Sequence, residues 1–371
     1  MPIYQKVIKE GYDKLILGIV ILLVLLGIIM VFSTSAILAY QRCNDPYFFL
    51  KRQIIWAIIG FLFLFIFLRI DYNKLQPYCR FLFFSTLILL IIIFIPGIGH
   101  SVKGSSRWIK IGMINVQPSE LAKFALIFYM ADFLDRKQSK INEVKKVFIP
   151  FIFIVSIYLF LIYLEPDFGT TFVIGITFIV LLIFGNVRLR YIFGLLLIYF
   201  PLVYLALFRV FYRKERLVAF LNPWLHYSGK GYQIIQALLA FGAGGILGKG
   251  WGESQIKLFY LPNPHTDFIF SVIGEELGFI GASLVIIMFI IFLVKGMNVS
   301  LKAPNLFGTL VAAGIVFIIS FQAIVNICVV TKIIPPTGIT LPFISYGGSS
   351  LVCSLAAVGV LLNISSHRKL R

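Results

Sequence analysis

The residues best suited to chemistry in this chain of 371 sit where long apolar blocks begin or end. Ionisable side chains in such places cost several kcal/mol unless paired, so they rank first as functional candidates. Glu120, Lys123, Glu165, Asp167, Asp267, Glu275 and Glu276 form one such set. Asp267 ends the run Leu261-Pro262-Asn263-Pro264-His265-Thr266-Asp267, whose two prolines stiffen the entry to an apolar block. A carboxylate there suits a general base or a ligand for a divalent cation such as Mg²⁺ or Mn²⁺. The plainer reading is that Thr266 or Asp267 caps the helix that follows.

Glu120 and Lys123 open another block in the run Gln117-Pro118-Ser119-Glu120-Leu121-Ala122-Lys123. Their i, i+3 spacing lets them pair on one helix face, a structural ion pair that makes buried charge tolerable. Alternatively, Lys123 offers a cation at a helix N-terminus, where phosphate binds readily, with Glu120 orienting it or holding metal. Arg107, just upstream, would add a guanidinium able to bind phosphate bidentately. Ser345, Gly347 and Gly348 begin the last block with exposed peptide N–H groups suited to an anion. Small residues also permit close helix packing, which fits Ser350, Ser354 and Ala357 further along. Arg209, Arg213 and Arg216 recur at i, i+4 and i+7 and make a basic helix face for lipid head groups or for a substrate. Glu275 and Glu276 lie two turns past Asp267 and are expected to pair structurally. The run GAGGILGKGWG fails as a nucleotide loop, since Ala243 replaces its first glycine and Gly250 its Ser/Thr. No nucleotide cofactor is expected.

These residues need elements to hold them. With 60% hydrophobic and 13% charged residues and a mean hydropathy of +0.98, the chain is no soluble enzyme. Apolar blocks at about 15–39, 54–69, 81–96, 117–134, 147–164, 168–185, 190–208, 267–294, 306–331 and 344–364 predict an all-α polytopic protein with about ten transmembrane helices. They leave room for a single integral-membrane domain over residues 1–371. The first block is too long for a cleaved signal and reads as a retained span. Lys and Arg number 18 in the loops that lie inside if the N-terminus is cytoplasmic, against 7 in the short outer loops. Both termini are therefore expected in the cytoplasm. The net charge of +18 orients the protein in a membrane and does not argue for nucleic acid. A long outer loop at about 209–266, between helices seven and eight, should hold the basic amphipathic helix. It should also hold a glycine-interrupted re-entrant or interfacial piece at 232–247. The four cysteines have no metal-ligand or disulfide spacing.

The motifs RWIKIG at 107–112, QPSELAK at 117–123, EPDFGT at 165–170, GYQIIQALLAFGAGGILGKGWG at 231–252, HTDFIF at 265–270, GEELG at 274–278 and TGITLPFISYGGSS at 337–350 resemble the shape, elongation, division and sporulation family. The resemblance covers nearly the whole chain, and the runs KLFYLPNPHTDFIFSVIGEELG and NPWLHYSGKGYQ look more like its division branch than its elongation branch.

The resemblance implies an inverting peptidoglycan glycosyltransferase. It would polymerise lipid II on the outer face of the bacterial cytoplasmic (inner) membrane and release undecaprenyl pyrophosphate. A class B penicillin-binding protein would crosslink the product, with other division proteins and membrane lipids as further partners. The family's essential aspartate matches Asp267, its paired charges Glu120 and Lys123, and its RW arginine Arg107. His265, Arg213, Arg216, Ser345, Gly347 and Gly348 join them as candidate substrate or pyrophosphate contacts. Thr337 departs from the lysine that some division members carry before the Gly-Ile-Thr-Leu-Pro run. The rival functions are a lipid II flippase, the family's elongation polymerase, and a scaffold that only recruits the transpeptidase.

Overall fold

The computed structural model describes the chain except residues 1–6, 10, 97–98, 103–104, 113, 142, 209–210, 227–229, 256, 258–263 and 370–371. A helix stands at each of the ten apolar blocks: α1 Lys14–Cys43, α2 Phe48–Arg69, α3 Cys79–Ile92, α4 Pro118–Arg136, α5 Ile149–Leu164, α6 Phe168–Phe184, α7 Leu189–Phe208, α10 Ile269–Leu301, α11 Leu306–Val330 and α12 Gly348–Ser365. Two shorter helices, α8 Phe211–Leu221 and α9 Lys230–Gly244, lie in the long connection. Local signals set several boundaries. Asp13 accepts from the Leu15 and Ile16 N–H groups to start α1, and Asn44 ends it in the left-handed region at φ 53°. Pro118 suits the first turn of α4, and Asn305 caps α11 through the Gly308 N–H at 2.9 Å.

Among the described residues, α1, α2, α10, α11, α12 and the run Tyr72–Ile92 ending in α3 are long and apolar enough to cross a membrane. The protein is thus a multi-pass membrane protein. Its helices expose Ile54, Ile58 and Leu62 outward and bury small residues against each other, as packing in lipid requires. Between α2 and α12 a Cβ on Gly359 would fall 2.4 Å from the Leu64 carbonyl oxygen, so only glycine permits this approach.

Two small sheets correct the all-α expectation. Strands β2 Gly99–Val102, β3 Ser105–Ile111 and β4 Ile114–Val116 form an antiparallel sheet in the order β2-β3-β4, where a plain loop was expected. The connection is long enough to satisfy its own backbone, and Trp108, Ile109 and Ile111 favour strand. Strands β1 Val7–Lys9 and β5 His367–Lys369 pair antiparallel, and the Asp13 N–H donates to Ser365 Oγ at 3.0 Å. Both ends of the chain therefore meet at one end of the bundle.

The segment predicted at 232–247 becomes α9 and a turn that wedges against a break in α10. Gly278 has φ 66° and ψ −164°, which interrupts the helix. The freed backbone groups bond to the turn. Lys249 and Gly250 N–H donate to the Glu275 and Glu276 carbonyls, each at 3.0 Å, and Phe279 N–H donates to the Gly245 carbonyl at 2.9 Å. Broken helices persist at membrane depth only where protein satisfies such groups. Glu275 pairs with Lys249 at 2.9 Å and Glu276 with Lys257 at 2.8 Å, as structural pairing requires. Lys249, in the run that imitates a nucleotide loop, is thus bound to a carboxylate.

Candidate functional site

At the end of the bundle opposite the paired termini, the turn 264–268 leads into α10. Its three central carbonyls are all held. His265 accepts from the Tyr346 N–H at 2.9 Å, Thr266 from Ser345 Oγ at 2.7 Å, and Asp267 from Asn326 Nδ2 at 2.8 Å. Ser345 Oγ also accepts the Leu341 N–H at 2.8 Å, so its hydroxyl ties this turn to the segment 337–347. Asn326 Nδ2 donates in addition to the Ile339 carbonyl at 2.7 Å. The Asp267 backbone is thereby fixed, while its side chain remains half-buried and reachable. A Cβ on Gly338 would lie 3.8 Å from Asp267 Oδ2, so the carboxyl faces the segment 337–341. Residues 261–263 of this motif lie outside the described residues.

Cations approach that segment from three elements. Lys123 of α4 is buried, 2.6 Å from Glu120, and donates to Gln322 Oε1 at 2.9 Å. Gln322 Nε2 in turn donates to the Thr340 carbonyl at 3.1 Å. Arg216 of α8 donates to the Pro336 carbonyl at 3.2 Å. Arg107 of β3 clamps the turn between α5 and α6: Nε donates to the Glu165 carbonyl at 2.8 Å, a second nitrogen to the Pro166 carbonyl, and Nη1 lies 3.9 Å from Asp167 Oδ2. That turn abuts the same segment, because a Cβ on Gly169 would meet the Thr337 carbonyl oxygen at 3.1 Å. Arg213 lies in α8 with its side chain outside the described atoms, and Arg209 lies outside the described residues.

Two groups at this end have displaced acidities. Burial, with the neighbouring Asp167 charge and against Arg107, pushes the Glu165 carboxyl up to about 8. Neither of its oxygens has a hydrogen-bond partner. Burial, together with Arg42, pushes the His265 imidazole down to about 4, so it is neutral at physiological pH. Its ring packs tilted against Phe49 and edge-on to Tyr346, with centroids 4.8 and 5.6 Å away. Gly348 packs on Trp56, where a Cβ would fall 2.3 Å from the indole, so close packing is its visible use.

Among the described residues no three His, Cys, Asp or Glu side chains converge, and the Glu120 carboxylate is committed to Lys123. The set fits no protein-built metal site, and Glu120 is not placed as a ligand. The sequence reading also overlooked Gln322 and Asn326, which tie α11 to the segment 337–341. Their signal was present: two amides at i, i+4 inside an otherwise apolar helix.

The fold and site define a polytopic α-helical membrane protein with a carboxylate and several cations gathered at one mouth. Residues 13–370 match the cell cycle protein family of FtsW, RodA and SpoVE, and the chain belongs to that family. It is 45% identical over 360 residues to a probable peptidoglycan glycosyltransferase FtsW of Geobacter metallireducens, covering 97% of this chain and 96% of the relative. The fold matches a chain of a peptidoglycan synthase complex with a TM-score of 0.78 and 27% identity, over 95% of this chain and 97% of that one. It also matches the rod shape determining protein RodA of Thermus thermophilus with a TM-score of 0.70 and 26% identity, over 95% and 96% of the two chains.

Proposed function

We propose that the protein is an inverting peptidoglycan glycosyltransferase that polymerises lipid II on the outer face of the bacterial cytoplasmic membrane, in septal wall synthesis. The observation that carries this reading is Asp267, half-buried at the mouth, its backbone pinned and its carboxyl facing the segment on which Arg107, Arg216 and Lys123 converge. The naming of a relative 45% identical as a probable FtsW supports the polymerase and its division role. The likeness to a chain of a peptidoglycan synthase complex supports a partner that crosslinks, the class B penicillin-binding protein expected above.

In this mechanism Asp267 takes the proton from the GlcNAc 4-hydroxyl of the acceptor lipid II. That oxygen attacks the anomeric carbon of the growing chain from the face opposite the pyrophosphate. The anomeric bond to oxygen breaks with inversion, and undecaprenyl pyrophosphate leaves with the electron pair. Charge develops on the leaving group, so a guanidinium beside it stabilises the transition state more than the ground state. This role is assigned to Arg107 and Arg216. Lys123 acts at one remove, holding the segment 337–341 through Gln322. A divalent cation would arrive with the substrate's pyrophosphate, Asp267 supplying a single carboxylate, and no step here depends on it.

The membrane arrangement proposed with this function is one integral domain with ten crossings and both termini in the cytoplasm. The pairing of β1 with β5 supports an even number of crossings, and the surplus of Lys and Arg in the inner loops supports the orientation. Helix α8 and the α9 wedge then belong to the long outer loop. A flippase remains the rival because transporters also use broken helices, as α10 is at Gly278. Labelled lipid II separates the two: a polymerase lengthens it, and a flippase only moves it between leaflets.

A further inference from the structure

The proposed reaction needs two pyrophosphate-linked lipids in the site together, the growing chain and the incoming lipid II. Arg107 and Arg216 serve the side of the Asp267 turn that faces α6 and the segment 336–341. The other side faces α2 and α12. There Phe49 of α2 lies against His265 and Tyr346, with ring centroids 4.8 and 5.2 Å away. Almost two turns further along α2, Trp56 covers Gly348. Gln53 falls between these two levels, on the buried stripe Gln53, Ala57, Gly60 and Leu64 that packs against α12. Gln53 therefore stands on α2 at the level of the first turn of α12.

Gln53 is 0% exposed, yet neither its Nε2 nor its Oε1 has a hydrogen-bond partner. A buried amide with both ends unsatisfied is costly, and a side chain kept in that state has a use other than packing. His265 adds a second such atom: the residue is 5% exposed and its Nδ1 has no partner. The 18-residue helix α12 starts without a side-chain cap, so no side chain of its own competes with an anion for the N–H groups of its first turn. Phe49, Trp56, Tyr346 and Gly347 around this pair are half-buried and form its mouth. Arg52 stands next to it along α2, its guanidinium 4.3 Å from the Phe48 ring centroid.

We propose that Gln53, His265 and the first turn of α12 form a second pyrophosphate subsite, which holds the acceptor lipid II while the Arg107 side holds the leaving pyrophosphate. This rests on the polymerase reading above. The division follows from the charge each group carries through the reaction. The leaving pyrophosphate gains charge and needs cations aimed at it. The acceptor's pyrophosphate keeps its charge, so an amide, a neutral imidazole, peptide N–H groups and the flanking Arg42 and Arg52 bind it equally in ground and transition states. Gln53 then contributes to KM and not to kcat.

The test is steady-state polymerisation of labelled lipid II by the full chain with its transpeptidase partner, comparing wild type with Gln53→Leu and Gln53→Met. Each variant is expected to raise the KM for lipid II roughly tenfold, with kcat within about twofold of wild type, the pattern of lost uniform binding. Each should also raise Tm, because an unsatisfied amide leaves the core. An unchanged KM with a raised Tm would make Gln53 a packing defect and overturn the proposal, as would a fall in kcat at unchanged KM. Wild type serves as the control for the underlying reading: if it makes no polymer, the polymerase itself has failed and not the subsite.

Discussion

Glu165 offers a sharp test of the electrostatics at the mouth. Its carboxyl is fully buried, without hydrogen-bond partners, and shifted from an ordinary 4.5 to about 8. Between those two values the unfolded chain has released this proton and the folded chain still holds it. Stability therefore falls as pH rises through the window, by about 1.4 kcal/mol per pH unit. The accumulated loss is roughly 5 kcal/mol by pH 8, and it levels off above that because both states are then ionised. Glu165→Gln keeps the size and removes the titration. Thermal unfolding in detergent at pH 5, 6, 7, 8 and 9 would compare the two proteins. Near pH 5 their Tm values should differ little. The variant's advantage should grow steadily to pH 8 and then stay constant. A difference that is the same at every pH would refute the claim that a buried neutral acid sits at this turn.

Two further outcomes follow from the α9 wedge. Lys257→Met should cost about 3–5 kcal/mol by leaving Glu276 charged and unpaired in the interior, and Lys257→Met with Glu276→Met should recover most of it. A double-mutant cycle on Tm checks this. Gly278→Ala should cost at least about 1–3 kcal/mol from backbone strain alone, since the position is at φ 66° and ψ −164°. The added methyl would also fall 2.3 Å from the Gly248 nitrogen, so polymer yield and Tm should drop together.

Much of this architecture could be read from the chain because lipid imposes a simple rule: a spanning segment must be apolar and must satisfy its own backbone. Each apolar block therefore became a helix, and Pro118 and Asn305 marked starts that local chemistry dictates. The basic face containing Arg213 and Arg216 foretold α8 in the same way. What escaped depended on contacts distant in sequence. Gly278 looks like any helix glycine until the turn at 245–250 supplies partners for the backbone it frees. Gln322 and Asn326 gain meaning only because the segment 337–341 folds back over α11. Lys123 could be recognised as a paired cation, but its burial against Gln322 was a tertiary fact. The strands at 99–116 were missed because a connection between spans was assumed to be irregular.

If Asp267 is the base of a polymerase, its loss must abolish glycan synthesis on a single gel. Purified wild type and Asp267→Asn, each bound to the transpeptidase partner, would receive labelled lipid II with Mg²⁺ or Mn²⁺, and the products would be resolved by glycan length. The substitution keeps the backbone bonds that hold the turn, so the variant should fold and bind its partner normally. Long glycan from wild type and none from the variant is the predicted result. Equal glycan from both would remove Asp267 from the chemistry, and none from either, with leaflet exchange of lipid II intact, would make the protein a flippase.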